Sequence, residues 1–230
     1  SYSSANTGPV TVALAIFDLD HTLLSGDSDH AWGQFLVDRG LVGPEVHQRR
    51  NDHFYEQYKA GSLDIHEYLE FAMRPLTEYD ADHMHAERDI FLNDRIEPLV
   101  SQKARDLIRH HEERGDTLLI ITATNGFVTY PIAERLGITH IIAPHPEVID
   151  GRYTGKTVGI PSFQDGKVTR LKSWMEEHSH DMEGSYFYSD SHNDLPLLRL
   201  VDHPVAVDPD PTLQAEAEAN GWPVISLRVD

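Results

Sequence analysis

The chain has 230 residues, 40% hydrophobic and 25% charged, with 38 Asp and Glu against 19 Lys and Arg for a net charge of −19. That length suits one compact domain with room for an insertion. The acidity disfavours nucleic acid and anionic membrane surfaces as partners, and no apolar run approaches the roughly 20 residues that span a bilayer. The absence of cysteine excludes disulfides, thiolate catalysis and cysteine-ligated metals, leaving carboxylates and 15 histidines for any metal chemistry.

Residues 1–9 are polar and lack the basic-then-apolar layout of a signal peptide, which predicts a flexible lead-in and a cytoplasmic protein. Val10 to Phe17 is a continuous apolar run ending in Asp18-Leu19-Asp20, the pattern of a strand buried on both faces of a parallel sheet. From Asp27 to Glu97 there are helix signals and no good strand. One amphipathic pattern surrounds Trp32, Phe35 and Leu36. Another starts at Pro44 after Gly43 and is stopped by Gly61. In a third, Asp64 and Glu67 form a capping box, and Ile65, Tyr68, Leu69, Ala72 and Met73 share a face until Pro75 ends the run. A fourth falls between Asp80 and Asn93. Further strands are expected at 117–122, 185–189, 204–207 and 223–226, with a hairpin around Asp150-Gly151 between Glu147 and Lys156. The alternation predicts an α/β fold, a Rossmann-like parallel sheet core formed by residues 1–25 and 98–230, interrupted by an inserted four-helix bundle over 26–97.

Active groups of open parallel sheets gather at the carboxyl ends of strands. Asp18 and Asp20, two apart at the end of the first strand, project to the same side and could share one site. Two such carboxylates suit a Mg²⁺ ion, or a nucleophile beside an acid; an Asp-rich turn has the same appearance. Thr122 ends the second apolar strand in a hydroxyl, Lys167 opens a helical stretch, and Asp190 and Asp194 follow a third strand. Each is unremarkable alone, but acids, hydroxyl, lysine and acids in that order at strand ends are together hard to dismiss as turns and caps.

With these residues the chain resembles the haloacid dehalogenase superfamily of phosphohydrolases, in its phosphoserine-phosphatase-like branch, from Val10 onward. Asp18-x-Asp20-x-Thr22 looks like its first motif, Thr122 its second, Lys167 its third and Asp190-x-x-x-Asp194 its fourth. The insert matches the family's helical cap. Thr122-Ala123-Thr124-Asn125-Gly126-Phe127 departs from the shorter Ser-Gly-Gly-Phe of phosphoserine phosphatases. The resemblance implies Mg²⁺-dependent hydrolysis of a small phosphomonoester through an aspartyl-phosphate. In it Asp18 is the nucleophile and Asp20 the acid and base. Asp18, Asp190 and the backbone carbonyl of Asp20 bind the metal, with Asp194 supporting it from behind. Thr122, Lys167 and the amides of Leu19 and Ala123 hold the phosphate oxygens. A phospho-accepting receiver domain also combines Asp, hydroxyl and Lys, but it needs neither Asp20 nor the insert. A non-catalytic phosphate-binding module would be expected to lack one of the acids.

The insert holds 16 acidic and seven basic residues, most of them expected on a solvated face. Asp27 is the exception. It lies nine positions after Asp18, where similar phosphoserine phosphatases bind the substrate amine, with Asp29 as its neighbour. The segments Gly26 to Trp32, Thr122 to Asn125 and Tyr188 to Asp194 are similar to histidinol-phosphate phosphatases of proteobacteria, which implies an amino-bearing substrate such as histidinol phosphate. Phosphoserine is the alternative; its carboxylate calls for an arginine such as Arg49, Arg50 or Arg74. His192 and Asn193, inside the fourth motif, are further candidates for substrate contact, and His21 for packing beside the phosphate loop. The pairs His83 and His85, His110 and His111, and His178 and His180 read as surface residues of polar helices.

Overall fold

The computed structural model describes residues 12–229, so the expected lead-in and the start of the Val10–Phe17 run lie outside the described residues. Six parallel strands form one sheet in the order β3-β2-β1-β6-β7-β8. They are β1 Leu14–Phe17, β2 Thr117–Ile121, β3 His140–Ile142, β6 Tyr186–Ser189, β7 His203–Val207 and β8 Val224–Ile225. A separate antiparallel hairpin joins β4 His145–Ile149 to β5 Arg152–Val158. Its turn places Asp150 and Gly151 at φ 51° and 76°, the two left-handed positions that an Asp-Gly turn supplies.

All four residues of β1 are fully buried. Their alternation divides them between two cores: Ala15 and Phe17 pack on one face of the sheet, Leu14 and Ile16 on the other. The first core receives α5 Gln102–Glu113 and α6 Gly126–Arg135; the second receives α7 Asp165–His178, α8 Leu195–Leu198 and α9 Pro211–Asn220. A sheet covered on both faces explains why its strands read as unbroken apolar runs. Among the described residues, no helix is long and apolar enough to cross a membrane.

The chain between β1 and β2 is helical: α1 Ser28–Asp38, α2 Pro44–Ala60, α3 Ile65–Glu78 and α4 Ala81–Phe91. Pro75 does not end α3. The helix runs on to Glu78, with Pro75 and Leu76 buried in continuation of the Leu69–Met73 face. α3 packs against β5, and the burial of Pro75 and Leu76 works against the roughly 3 kcal/mol that an interior proline costs. The insert is fixed to the sheet domain by aromatic contacts, Trp32 lying 5.5 Å from Phe127 of α6 and the Arg88 guanidinium 4.6 Å from the same ring. β3 was not expected: three residues after the Gly137 turn are too few to show a period.

His111 departs most from its surface reading. It is fully buried, with Nδ1 2.7 Å from Asp116 and Nε2 2.6 Å from the Tyr188 hydroxyl. Burial pulls its pKa below the ordinary histidine value, against the pull of Asp116.

Candidate active site

In the sheet order, β1 has β2 on one side and β6 on the other, and chain connections leave in opposite directions from this point. The segments following these three strands converge there. After Phe17 the chain turns sharply through Leu19–Leu23, with His21 in the left-handed region at φ 58° and its N–H bonded to the Gly26 carbonyl. This turn brings Asp18 and Asp20 to the carboxyl edge of the sheet.

Asp18 is 6% exposed. Its Oδ1 accepts from Lys167 Nζ at 3.1 Å, and the same ammonium reaches the two Asp194 oxygens at 2.9 and 3.1 Å. Asp194 also accepts from the Ser189 hydroxyl at 2.6 Å. Burial alone would lower the Lys167 pKa, but the carboxylates of Asp18 and Asp194 raise it overall, so the lysine is held as a cation. Asp194 is pushed up to about 6 by burial, with Lys167 pulling the other way.

Asp190 faces Asp18 from the end of β6. Thr22 fixes it, donating its hydroxyl to Asp190 Oδ1 at 3.0 Å and accepting the Asp190 N–H at 3.1 Å. Burial, the Asp18 charge and a hydrogen bond with the Asp18 carboxyl push the Asp190 pKa well above its usual range. Two buried carboxylates this close are mutually repulsive unless a proton or a cation joins them. Such a donor set fits a hard, oxygen-seeking cation such as Mg²⁺. Among the described residues no group of three or more His, Cys, Asp or Glu side chains is placed to hold a metal ion, so any further protein ligand here would be a neutral oxygen such as a backbone carbonyl.

Asp20 is held differently. Its Oδ1 accepts the Ser28 N–H at 2.7 Å and its Oδ2 the Thr124 hydroxyl at 2.7 Å. Burial first, then the charge of Asp27, raise its pKa to about 8 against these hydrogen bonds. Two acids two residues apart thus sit in opposite environments, Asp18 against an ammonium and Asp20 biased toward its neutral form. Thr122 accepts the Thr124 N–H at 3.1 Å, leaving its own hydroxyl proton for another acceptor.

Asp18, Asp20, Asp27, Thr122, Ala123, Lys167, Asn193 and Asp194 line one cavity, which encloses about 790 Å³ including its open mouth. Leu19 is fully buried, so contact with a ligand there would fall to its backbone. The opposite wall comes from the insert: His30, Asn51, Phe54, Tyr55, Tyr58, Leu63, Ile65 and Tyr68, with Phe163 beside them. Asp27 caps α1, its Oδ1 accepting the Asp29 and His30 N–H groups at 2.9 Å each. Asp29 does not line the cavity; it accepts from the Tyr68 hydroxyl, and burial, then the Asp27 charge, push its pKa to about 7. His192 is likewise turned away, with its Nδ1 2.8 Å from Asp210.

The sequence reading did not single out Thr124, Ser189 or the aromatic wall. Thr124 stands two residues after Thr122, a spacing that could have drawn attention to it. Phe54, Tyr55 and Tyr58 carry only the ordinary i, i+4 pattern of an amphipathic helix.

The family model for haloacid dehalogenase-like hydrolases matches residues 15–199. The chain belongs to that family. It is 45% identical over 219 residues to the histidinol-phosphatase of Neisseria meningitidis serogroup C (strain 8013), covering 94% of this chain and 99% of that protein. A protein of unknown function from Bordetella pertussis Tohama I has a solved structure that superposes with a TM-score of 0.88 at 44% identity, covering 94% of this chain and 99% of that one. A substrate-bound phosphoserine phosphatase shares the fold, with a TM-score of 0.70 at 17% identity over 96% of this chain and 95% of that one. The chain is a phosphatase of the haloacid dehalogenase type, a phosphoric monoester hydrolase.

Proposed function

We propose that this phosphatase hydrolyses a small phosphomonoester bearing a cationic nitrogen, of which histidinol phosphate is the leading candidate, through a phosphorylated Asp18. The observation that carries the mechanism is the divided environment of the two acids. Asp18, paired with Lys167, is the group to attack phosphorus in line. Asp20, buried and raised to about 8, is available as the acid that protonates the leaving oxygen. Once deprotonated it becomes the base that takes a proton from the water hydrolysing the acyl phosphate. Lys167, the free hydroxyl proton of Thr122 and the amides of Leu19 and Ala123 would hold the other phosphoryl oxygens.

Asp18, Asp190 and the Asp20 carbonyl would hold Mg²⁺. When bound, that ion offsets the repulsion between the Asp18 carboxylate and the phosphate dianion and fixes their alignment. Asp194 supports the arrangement through its hold on Lys167.

The helical insert over 26–97 is, in this reading, a cap that selects the leaving group. Its wall of the cavity is aromatic, with the Asp27 carboxylate at one end. Asp27 Oδ1 is used in capping α1, which leaves Oδ2 for a substrate ammonium. Phosphoserine would also present a carboxylate in need of a cation. Lys167 is the lone Lys or Arg among the residues lining the cavity, and it already serves Asp18 and Asp194. Arg49 and Arg74 line other surface depressions, and Arg50 covers the Phe54 and Phe71 rings. Rapid-quench mass spectrometry during turnover of histidinol phosphate with Mg²⁺ tests the mechanism. A phosphoryl group on Asp18 is expected; its absence under conditions of turnover would refute the covalent route.

A further inference from the structure

The last turn of any α-helix leaves carbonyl groups without intrahelical partners. At the end of α2, side chains from the sheet domain reach two carbonyls, that of Tyr58 in the last turn and that of Gly61 just beyond it. Asn193 Nδ2 donates to the Tyr58 carbonyl at 3.1 Å, and Gln164 Nε2 lies 3.4 Å from the Gly61 carbonyl. The two amides are joined, Gln164 Nε2 donating to Asn193 Oδ1 at 2.9 Å. Asn193 is 4% exposed, and its amide is thereby committed to protein partners although it borders the cavity.

The positions of these two residues matter. Gln164 immediately precedes α7 and stands three residues before Lys167, while Asn193 is bonded in the chain to Asp194. The clamp on α2 therefore attaches beside both members of the Lys167–Asp194 pair. On the α2 side, the clamped residue Tyr58 has its phenol close enough to Asp18, Asp190 and Asp194 for their charges to raise its pKa, after burial. Gln164 is also held at φ 51° and ψ −124°, a conformation suited to glycine. A glutamine kept there at a conformational cost is one whose side chain is in use.

We propose that Gln164 and Asn193 are positioning residues, whose paired amides clamp the end of α2 to the sheet domain and so hold Tyr58 over the catalytic carboxylates in the substrate-bound state. Only the kinetic consequence rests on the phosphatase reading; the clamp itself is a property of the ligand-free chain.

Gln164→Gly is the informative variant, because it removes the amide while relieving the backbone. The reporters are the amides of Gly61 and Ser62, which bond back to the Tyr58 and Gln57 carbonyls. In Gln164→Gly and in Asn193→Ala their hydrogen exchange should accelerate by about threefold to tenfold, the scale of one lost hydrogen bond, while exchange in β1 is unchanged. The melting temperature of Gln164→Gly should not fall. With an amino-bearing phosphate, KM should rise by about threefold to tenfold and kcat should change less. Unchanged exchange at Gly61 and Ser62 in both variants would overturn the clamp, whatever the substrate proves to be. Faster exchange with KM unmoved would remove its role in positioning while leaving the phosphatase reading intact.

Discussion

The two walls of the cavity are built on different principles. The sheet side is a closed network of buried charge in which Lys167 joins Asp18 to Asp194, Thr22 joins the first turn to Asp190, and Thr124 holds Asp20. The helical side is a set of aromatic rings with one free carboxylate oxygen, carried on helices that meet the sheet through aromatic packing and a few amide contacts. On the proposed mechanism the first arrangement would serve any phosphoryl group, since every phosphate ester presents the same oxygens. The second would meet only what is attached to the phosphate. Chemistry and selectivity should therefore be separable by mutation.

The largest effect is expected on the sheet side. Asp18→Asn should lower turnover of every substrate by on the order of 10⁴-fold or more, as loss of a nucleophile does, with the circular dichroism spectrum retained. Steady-state assays on an amino phosphate and an aryl phosphate should show equal losses. Exhaustive EDTA treatment should also abolish turnover of both substrates, and added Mg²⁺ should restore it. Undiminished activity after chelation would remove the cation from the account.

Asp20→Asn comes next, with a loss of about 10²- to 10⁴-fold, the usual contribution of general acid and base catalysis. The loss should shrink for a phosphate ester whose leaving group is a strongly acidic phenol, since such an oxygen departs without a proton. Equal losses across leaving groups would assign Asp20 a purely structural role.

Asp27→Asn addresses the helical side. Asparagine can still cap α1, so the substitution removes charge with little cost to the helix. It should reduce kcat/KM for histidinol phosphate by about 10- to 100-fold, the scale of one hydrogen bond to a charged group. Its loss also relaxes the pressure on Asp20, a change felt by every substrate whose leaving oxygen needs a proton. The ratio between the amino phosphate and an uncharged alkyl phosphate, whose leaving oxygen is equally in need of a proton, isolates the contact, and an unchanged ratio would return Asp27 to a capping role alone.

The smallest effect concerns His111, beneath the sheet-side network. Its pKa is lowered in the folded protein, so below about 6.5, the ordinary histidine value, the unfolded chain binds the extra proton more readily. The native state consequently loses stability as pH falls through that range. The melting temperature should drop between pH 7.5 and 5.5, and His111→Gln should show a smaller drop over the same interval. Parallel curves would assign the loss to other groups.

The same division explains what could be read without the structure. Asp18, Asp20, Thr122, Lys167 and Asp194 stand at strand ends or at a helix start, where short-range spacing and topology decide where a side chain goes, and all five line one cavity. The helical side depends on how α1, α2 and α3 cross, which is fixed by packing between residues far apart in sequence. Nothing local tells Asp27, which faces the cavity, from Asp29, which faces Tyr68. His111 shows the same limit, since its neighbours on α5 are polar while its partner Tyr188 lies 77 residues away. Pro75 shows that a strong local signal can be overridden when the apolar face beyond it has a surface to cover.

An aromatic wall that includes the Asp27 carboxylate and has no arginine lining the cavity should favour a leaving group bearing a cation and no carboxylate. The direct measurement is kcat/KM for histidinol phosphate and for phosphoserine, side by side with Mg²⁺. Histidinol phosphate should be preferred by about 100-fold or more, the cost of burying a carboxylate without a partner. Equal values, or a preference for phosphoserine, would contradict it.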